Sequence, residues 1–101
     1  MRVLRQGLAH APAGAGAELQ YALGLTFVRQ KRAALAVAPL AAAAALAPNV
    51  ARYALVYALV LQQVGRPADA RGVLEAALAK HPDDRELRDA YLSLVRPRAG
   101  R

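Results

Sequence analysis

The sequence predicts an all-α fold in which antiparallel helix pairs stack into a right-handed solenoid. The first observation is a repeat: when the chain is shifted by 34 positions, Leu40 falls on Leu74 and Pro48 falls on Pro82. Such a period, with a proline near its end, is typical of stacked helix pairs. The second observation is composition, because alanine, the best helix former, is abundant and β-branched residues are scarce. About six helices with short turns leave no room for a strand.

Capping residues and prolines define the first part of this pattern. We predict a short helix over residues 2–11, a loop over 11–16, and longer helices over 17–30, 33–47 and 50–64. Glu18 should lie near the positive end of its helix dipole, and Asn49 should cap the helix that follows it. Pro39 lies inside the third helix, where a proline removes one hydrogen bond and should kink the helix at ~3 kcal/mol if uncompensated.

The second part contains the clearest helix boundaries. We predict the last two helices over residues 67–80 and 85–96. Gly65 supplies a left-handed C-terminal cap, and Pro67 suits the first turn of the next helix. Asp83 and Asp84 are the predicted caps of the last helix, on which Asp84 with Arg88 and Arg85 with Asp89 stand four residues apart and could form ion pairs.

Small and bulky residues recur in the same order in two successive segments. With Ala17 and Ala51 as starts, the small residues are Gly24, Ala36 and Ala43, then Ala58, Ala70 and Ala77. The bulky residues are Leu23, Phe27 and Leu40, then Tyr57, Leu61 and Leu74. This pattern resembles the tetratricopeptide repeat family. Two departures are Gln20 and Ala54, where the family has a large aromatic residue, and a third is Lys31, which stands at the place of Gly65.

The resemblance implies one domain with four parts. These are an N-terminal half repeat and loop (1–16), two repeats (17–50 and 51–84), and a capping helix or half repeat (85–101). In the last part, Leu87, Tyr91, Leu92 and Val95 take the packing positions.

The sequence contains no arrangement of residues that is typical of a catalytic site or a cofactor site. There is no cysteine, and Ser93, Thr26, His10 and His81 form no triad or ligand spacing. His81 is better explained as a surface residue at a helix C-terminus, where a cation is favoured. We therefore expect no enzyme activity, no metal and no cofactor.

The net charge of +7 comes from twelve arginines and two lysines against seven acidic residues. A basic balance suggests nucleic acid or acidic lipid as a partner, but these residues are dispersed and form no stripe with interleaved aromatics. High arginine and alanine usage is also typical of a GC-rich bacterial genome. We expect no transmembrane segment, since prolines interrupt the uncharged run 33–51. The expected compartment is the cytoplasm, or the periplasm if the chain is part of a larger exported protein.

The resemblance implies a partner site in a concave groove lined by the first helix of each repeat. The groove positions carried over are Tyr21, Leu25, Val28, Arg29, Arg52, Leu55, Leu59, Gln62 and Gln63. The apolar members among them predict an exposed stripe that suits a helix or extended peptide of a protein partner. The lysine and asparagine residues with which chaperone-binding members of the family hold a terminal carboxylate are absent.

Two alternatives to groove binding remain. The chain could be a structural or docking segment of a larger bacterial protein whose catalytic or haem-bearing part lies elsewhere, or a basic adaptor for RNA or lipid. The uncharged helix 33–47 offers a second surface, which residues 2–11, a second copy of the chain, or another part of a larger protein would cover.

Overall fold

The computed structural model describes residues 13–95, with side chains from Gly16 onward, and contains five α-helices in that range. They are α1 (Ala13–Arg29), α2 (Ala33–Leu46), α3 (Ala51–Gln63), α4 (Pro67–Lys80) and α5 (Arg85–Val95). Each helix packs on the next along the chain, and α3 also contacts α5. The molecule is elongated, with extents of 56 × 30 × 18 Å. The predicted all-α solenoid is confirmed.

The predicted helices and the observed ones agree closely from Ala33 onward, and differ at the N-terminal end. The predicted helix over residues 2–11 lies outside the described residues. The predicted loop over 11–16 is wrong from Ala13 onward, because α1 begins there and its alternating alanines offset the low helix propensity of the glycines. Glu18 consequently lies beyond the first turn of α1, so its predicted interaction with the start of the helix dipole is also wrong.

The two turns within helix pairs share one backbone conformation. Lys31 and Gly65, which are 34 residues apart, have φ values of 62° and 84°. In each turn the next residue donates its N–H to a carbonyl five residues back: Arg32 to Phe27 and Arg66 to Leu61, both at 2.8 Å. This bond is the mark of a helix that ends in a left-handed residue. The prediction for Gly65 is confirmed, and Lys31 adopts the same conformation in spite of its Cβ.

The two turns between helix pairs also match each other, except in their caps. The Oδ1 atom of Asp84 accepts the N–H of Leu87 at 2.9 Å, which confirms Asp84 as the cap of α5. The predicted cap Asn49 is wrong, because Val50 precedes α3 directly and the cap position has no side-chain hydrogen bond.

Neither ion pair predicted on α5 forms. Arg88 instead donates to the carbonyl of Pro82 at 3.2 Å. Within residues 16–95 the ion pair is Arg66 with Asp69, at 2.8 Å, and both side chains are more than half exposed. An exposed pair of this kind contributes little to stability.

Pro39 is accommodated inside α2. The helix continues through it from Ala33 to Leu46, and the proline is buried. Its missing N–H leaves one carbonyl of the preceding turn, that of Leu35, without its usual helical partner. Burial of the apolar ring compensates part of that loss.

Close approach of the helices in each pair determines how the core packs. Four leucines are fully buried: Leu40, Leu61, Leu74 and Leu87. They belong to core clusters that also contain buried alanines. A close contact joins α1 and α2, where a Cβ built on Gly24 would lie 2.6 Å from Cγ and Cδ2 of Leu40. Ala58, the equivalent of Gly24 in the next pair, is buried in one cluster with Leu74. Small residues therefore allow the leucines of the second helix to reach the first.

Replacement of Gly24 by alanine should destabilise the fold. Leu40 is fully buried and cannot move away, so the added methyl overpacks the contact, which typically costs about 1–3 kcal/mol. Gly72→Ala is the matched control, since a Cβ at that position meets nothing within 4 Å. Removing a glycine from a helix should raise the free energy of unfolding by about 0.5–1 kcal/mol. Urea unfolding of both variants measures the difference. Equal stability of the two variants would contradict the close approach.

Replacement of Lys31 by glycine should stabilise the fold. The left-handed conformation at φ 62° costs a residue with a Cβ about 1–2 kcal/mol, and glycine avoids that cost. After the larger entropy of glycine in the unfolded chain is subtracted, a gain of about 0.5–1 kcal/mol remains. Arg32→Gly is the control, because its φ of −118° carries no such strain. Thermal unfolding should rank Lys31→Gly above the parent and Arg32→Gly at or below it; the reverse order would contradict the strain at Lys31.

Candidate functional site

Histidine and carboxylate side chains do not cluster around a common point in the described region. Among residues 16–95 no group of three His, Asp or Glu side chains is placed to hold a metal ion. Buried polar or charged residues are likewise absent from that range. Two shallow depressions on the surface of residues 16–95, of about 170 and 130 Å³, are lined mainly by small or aliphatic residues.

Two polar contacts that were not predicted join successive helices and turns. Tyr91 of α5 donates its hydroxyl to a carboxylate oxygen of Glu75 on α4, at 3.1 Å. That hydrogen bond, together with partial loss of solvation and the negative charge of Glu75, raises the pKa of Tyr91. Nε2 of His81 lies 3.1 Å from the carbonyl oxygen of Pro48, so this residue links the turns before α3 and α5. Both contacts serve the stacking of repeats, and only spatial proximity reveals them.

Helices α1, α3 and α5 are the first helices of their pairs and carry the predicted groove positions. An aromatic pair joins the first two: the rings of Tyr21 and Tyr53 have centroids 4.6 Å apart and planes tilted by 35°. Tyr53 is 8% exposed and shares a cluster with Ala17 and Ala43. The tetratricopeptide pattern has a large aromatic residue one position later, at Ala54. Tyr53 therefore supplies a large aromatic side chain beside the position where the sequence lacks one.

Leu55 does not belong to the exposed surface on which it was predicted. It is 9% exposed and packs in one cluster with Leu74 and Leu87. The reason is that α3 contacts α5, so the side of α3 that faces the next first helix is used for stacking. Leu55 is a core residue, and the predicted exposed stripe is wrong at this position.

Three other predicted apolar positions are only partly available. Tyr21 is half-buried beside Tyr53, and Val28 is half-buried against Ala36, Leu40 and Val60. Leu25 is also half-buried, but it belongs to none of the core clusters. Tyr21 and Val28 therefore contribute edges to the groove rather than whole side chains.

The most accessible apolar residue of the groove set is Leu59, at 46% exposure. Its equivalents one repeat before and after are Leu25 and the exposed Ser93. Among the polar members of the predicted set, Arg29, Arg52 and Gln63 are exposed and Gln62 is half-buried. Gln62 and Gln63 follow Leu59 on α3 by three and four residues, so they share its side of the helix.

Apolar residues are also exposed at both ends of the stack and on α2. Leu23, Leu92 and Val95 were predicted to pack, but they are 47%, 40% and 40% exposed. In the middle of the stack, the equivalent residues of α3 contact α2 or α4. Among the described residues no helix takes the place of α2 beside α1, and none takes the place of α4 after α5. On α2, the uncharged surface is exposed at Leu35 and Leu46.

Comparison with known protein families gives one match. Residues 51–94 match the family model described as tetratricopeptide repeat. The matched segment covers α3, α4 and all but the last residue of α5. It therefore supports a repeat of this family in the part of the chain where the resemblance is strongest. No curated protein and no solved structure matches the chain.

The length and hydropathy of the described helices determine whether any of them could span a membrane. None of the helices within residues 13–95 is both long enough and apolar enough to cross a bilayer. The alanine-rich α2, which comes nearest in composition, has 14 residues.

Proposed function

We propose that this chain is a non-catalytic module that binds a protein or peptide through the groove face of α1 and α3. A tetratricopeptide-type repeat suggests protein interaction in general, and Leu59 is the observation that carries the proposal to this face. A large aliphatic side chain with 46% exposure, which repeats the half-buried Leu25 one repeat later, is costly to leave in water and suits contact with an apolar side chain of a partner.

The border of the groove face fits a peptide backbone or an amphipathic helix. Gln62 and Gln63 can donate and accept hydrogen bonds, and Arg29 and Arg52 are the exposed cations of the set. Glu86 and Asp89 are exposed on α5, at positions equivalent to Arg52 and Leu55. A partner with acidic residues at one end and a basic residue at the other would match these charges.

Preorganisation is the proposed mechanism. The helix pairs are fixed by buried leucines and small residues, so little ordering of the module accompanies binding. Less conformational entropy is then lost on association than with a flexible receptor.

A second candidate is docking within a larger polypeptide. It is favoured by Leu92 and Val95, which are exposed although their equivalents Ala58 and Leu61 are buried against α4. A following helix placed as α4 is placed on α3 would cover them. Leu35 and Leu46 are exposed on the uncharged surface of α2, and self-association of two copies of the chain through this surface would cover them.

The groove proposal is tested by Leu59→Glu, with Leu35→Glu as the matched control. Both leucines are about half exposed, but Leu35 lies on α2, away from the groove helices. Immobilised parent and variants are used to capture proteins from an extract of the cells that produce the chain, and captured proteins are quantified. A charge in a contact centre should weaken a specific partner at least about tenfold.

Three outcomes are distinguished. Loss of a partner with Leu59→Glu and its retention with Leu35→Glu supports the groove. Equal capture by Leu59→Glu, with circular dichroism unchanged, contradicts it. Capture that falls steeply with salt and is unaffected by either variant would indicate binding to phosphate groups of RNA or lipid instead.

A further inference from the structure

The face of α1 that points away from α2 is left apolar and uncovered, whereas the same face is covered on α3 and α5. Leu19 is 63% exposed and Leu23 is 47% exposed. Their equivalents at intervals of 34 residues are Tyr53 and Leu87, which are buried at 8% and 0%, and Tyr57 and Tyr91, which are half-buried.

The second helix of the preceding pair covers this face on α3 and on α5. Ala43 of α2 shares a cluster with Tyr53 of α3, and Ala77 of α4 shares a cluster with Leu87 of α5. Likewise Leu40 lies in the cluster that Tyr57 packs against, and Leu74 lies in the cluster that Tyr91 packs against. One leucine and one small residue, three positions apart, therefore meet this face in each case.

The same spacing of a leucine, a small residue and a proline occurs once more, directly before α1. Residues 4–12 read LRQGLAHAP, residues 40–48 read LAAAAALAP, and residues 74–82 read LEAALAKHP. Leu4 corresponds to Leu40 and Leu74, and Gly7 corresponds to the small residues Ala43 and Ala77. Pro12 corresponds to Pro48 and Pro82, although two more residues separate it from its repeat start than separate Pro48 from Ala51.

We propose that the segment 3–9 of this chain docks on α1 as a second helix and covers Leu19 and Leu23. The register of the other two pairs places Gly7 opposite Leu19 and Leu4 opposite Leu23. Glu18, the one acidic residue in the first 68 positions, lies beside this face and can interact with the basic Arg2 or Arg5. The proposal concerns the end face of the stack and does not depend on the groove.

The absence of cysteine from the chain allows a direct test by thiol labelling. Leu19→Cys and Val50→Cys each create a single thiol, at sites where the parent side chains are 63% and 39% exposed. Val50 lies in the turn before α3, outside the surfaces for which a partner is proposed. Without a cover, the thiol at position 19 should react with iodoacetamide at least as fast as the thiol at position 50. If segment 3–9 covers α1, the thiol at position 19 should react at least about tenfold more slowly, as expected for a site that reacts only on local opening.

Second substitutions identify the cover. Leu4→Glu added to Leu19→Cys should restore a rate at least as high as that of Val50→Cys, because a charge cannot be buried against Leu23. Gln6→Glu is the matched control; two positions from Leu4 it points to the opposite side of a helix, and protection should remain. Circular dichroism checks that each variant keeps its helices.

Two results would overturn the proposal. A labelling rate for Leu19→Cys that equals or exceeds that for Val50→Cys means that the face of α1 is open. Protection that persists with Leu4→Glu, or that disappears on dilution, means that another segment or a second copy of the chain is the cover.

Discussion

The structure depends on how closely the two helices of each pair approach. A leucine from the second helix must reach the backbone of the first, and only a glycine or an alanine at the facing position permits this. Leu40 lies so close to Gly24 that a methyl group on Gly24 would collide with it. In the next pair Ala58, which has one carbon more than glycine, is buried in one cluster with Leu74. The helix spacing then sets where the next pair stacks.

Stacking also decides which groove residues remain available to a partner. Each first helix contacts the next first helix in the stack. Tyr21 therefore packs against Tyr53, and Leu55 is buried in the core cluster that contains Leu87. What is left is a small surface centred on Leu59 with polar neighbours. A small groove surface of this kind would favour a short peptide or one helix as the partner over a large flat interface.

Much of the fold could be predicted from the sequence, because the repeat determines both helix positions and small-residue positions. Gly65, Pro67 and Asp84 act locally, and local signals can be read from one segment. The exposure of Leu55 and Leu23 could not be predicted, since it depends on whether a neighbouring helix lies against each face. The same limit explains Tyr53, whose burial follows from its contacts with α2 and with Tyr21 of α1.

A double-mutant cycle between Gly24 and Leu40 tests the close approach most directly. Gly24→Ala is introduced with and without Leu40→Ala, in a background carrying Gly72→Ala so that stability is in reserve, and urea unfolding gives the four free energies. Leu40→Ala removes the atoms that lie 2.6 Å from the added methyl, so Gly24→Ala should then be neutral or stabilising, with a coupling of about 1–3 kcal/mol. An equal cost of Gly24→Ala in both backgrounds would show that Leu40 does not constrain the helix spacing.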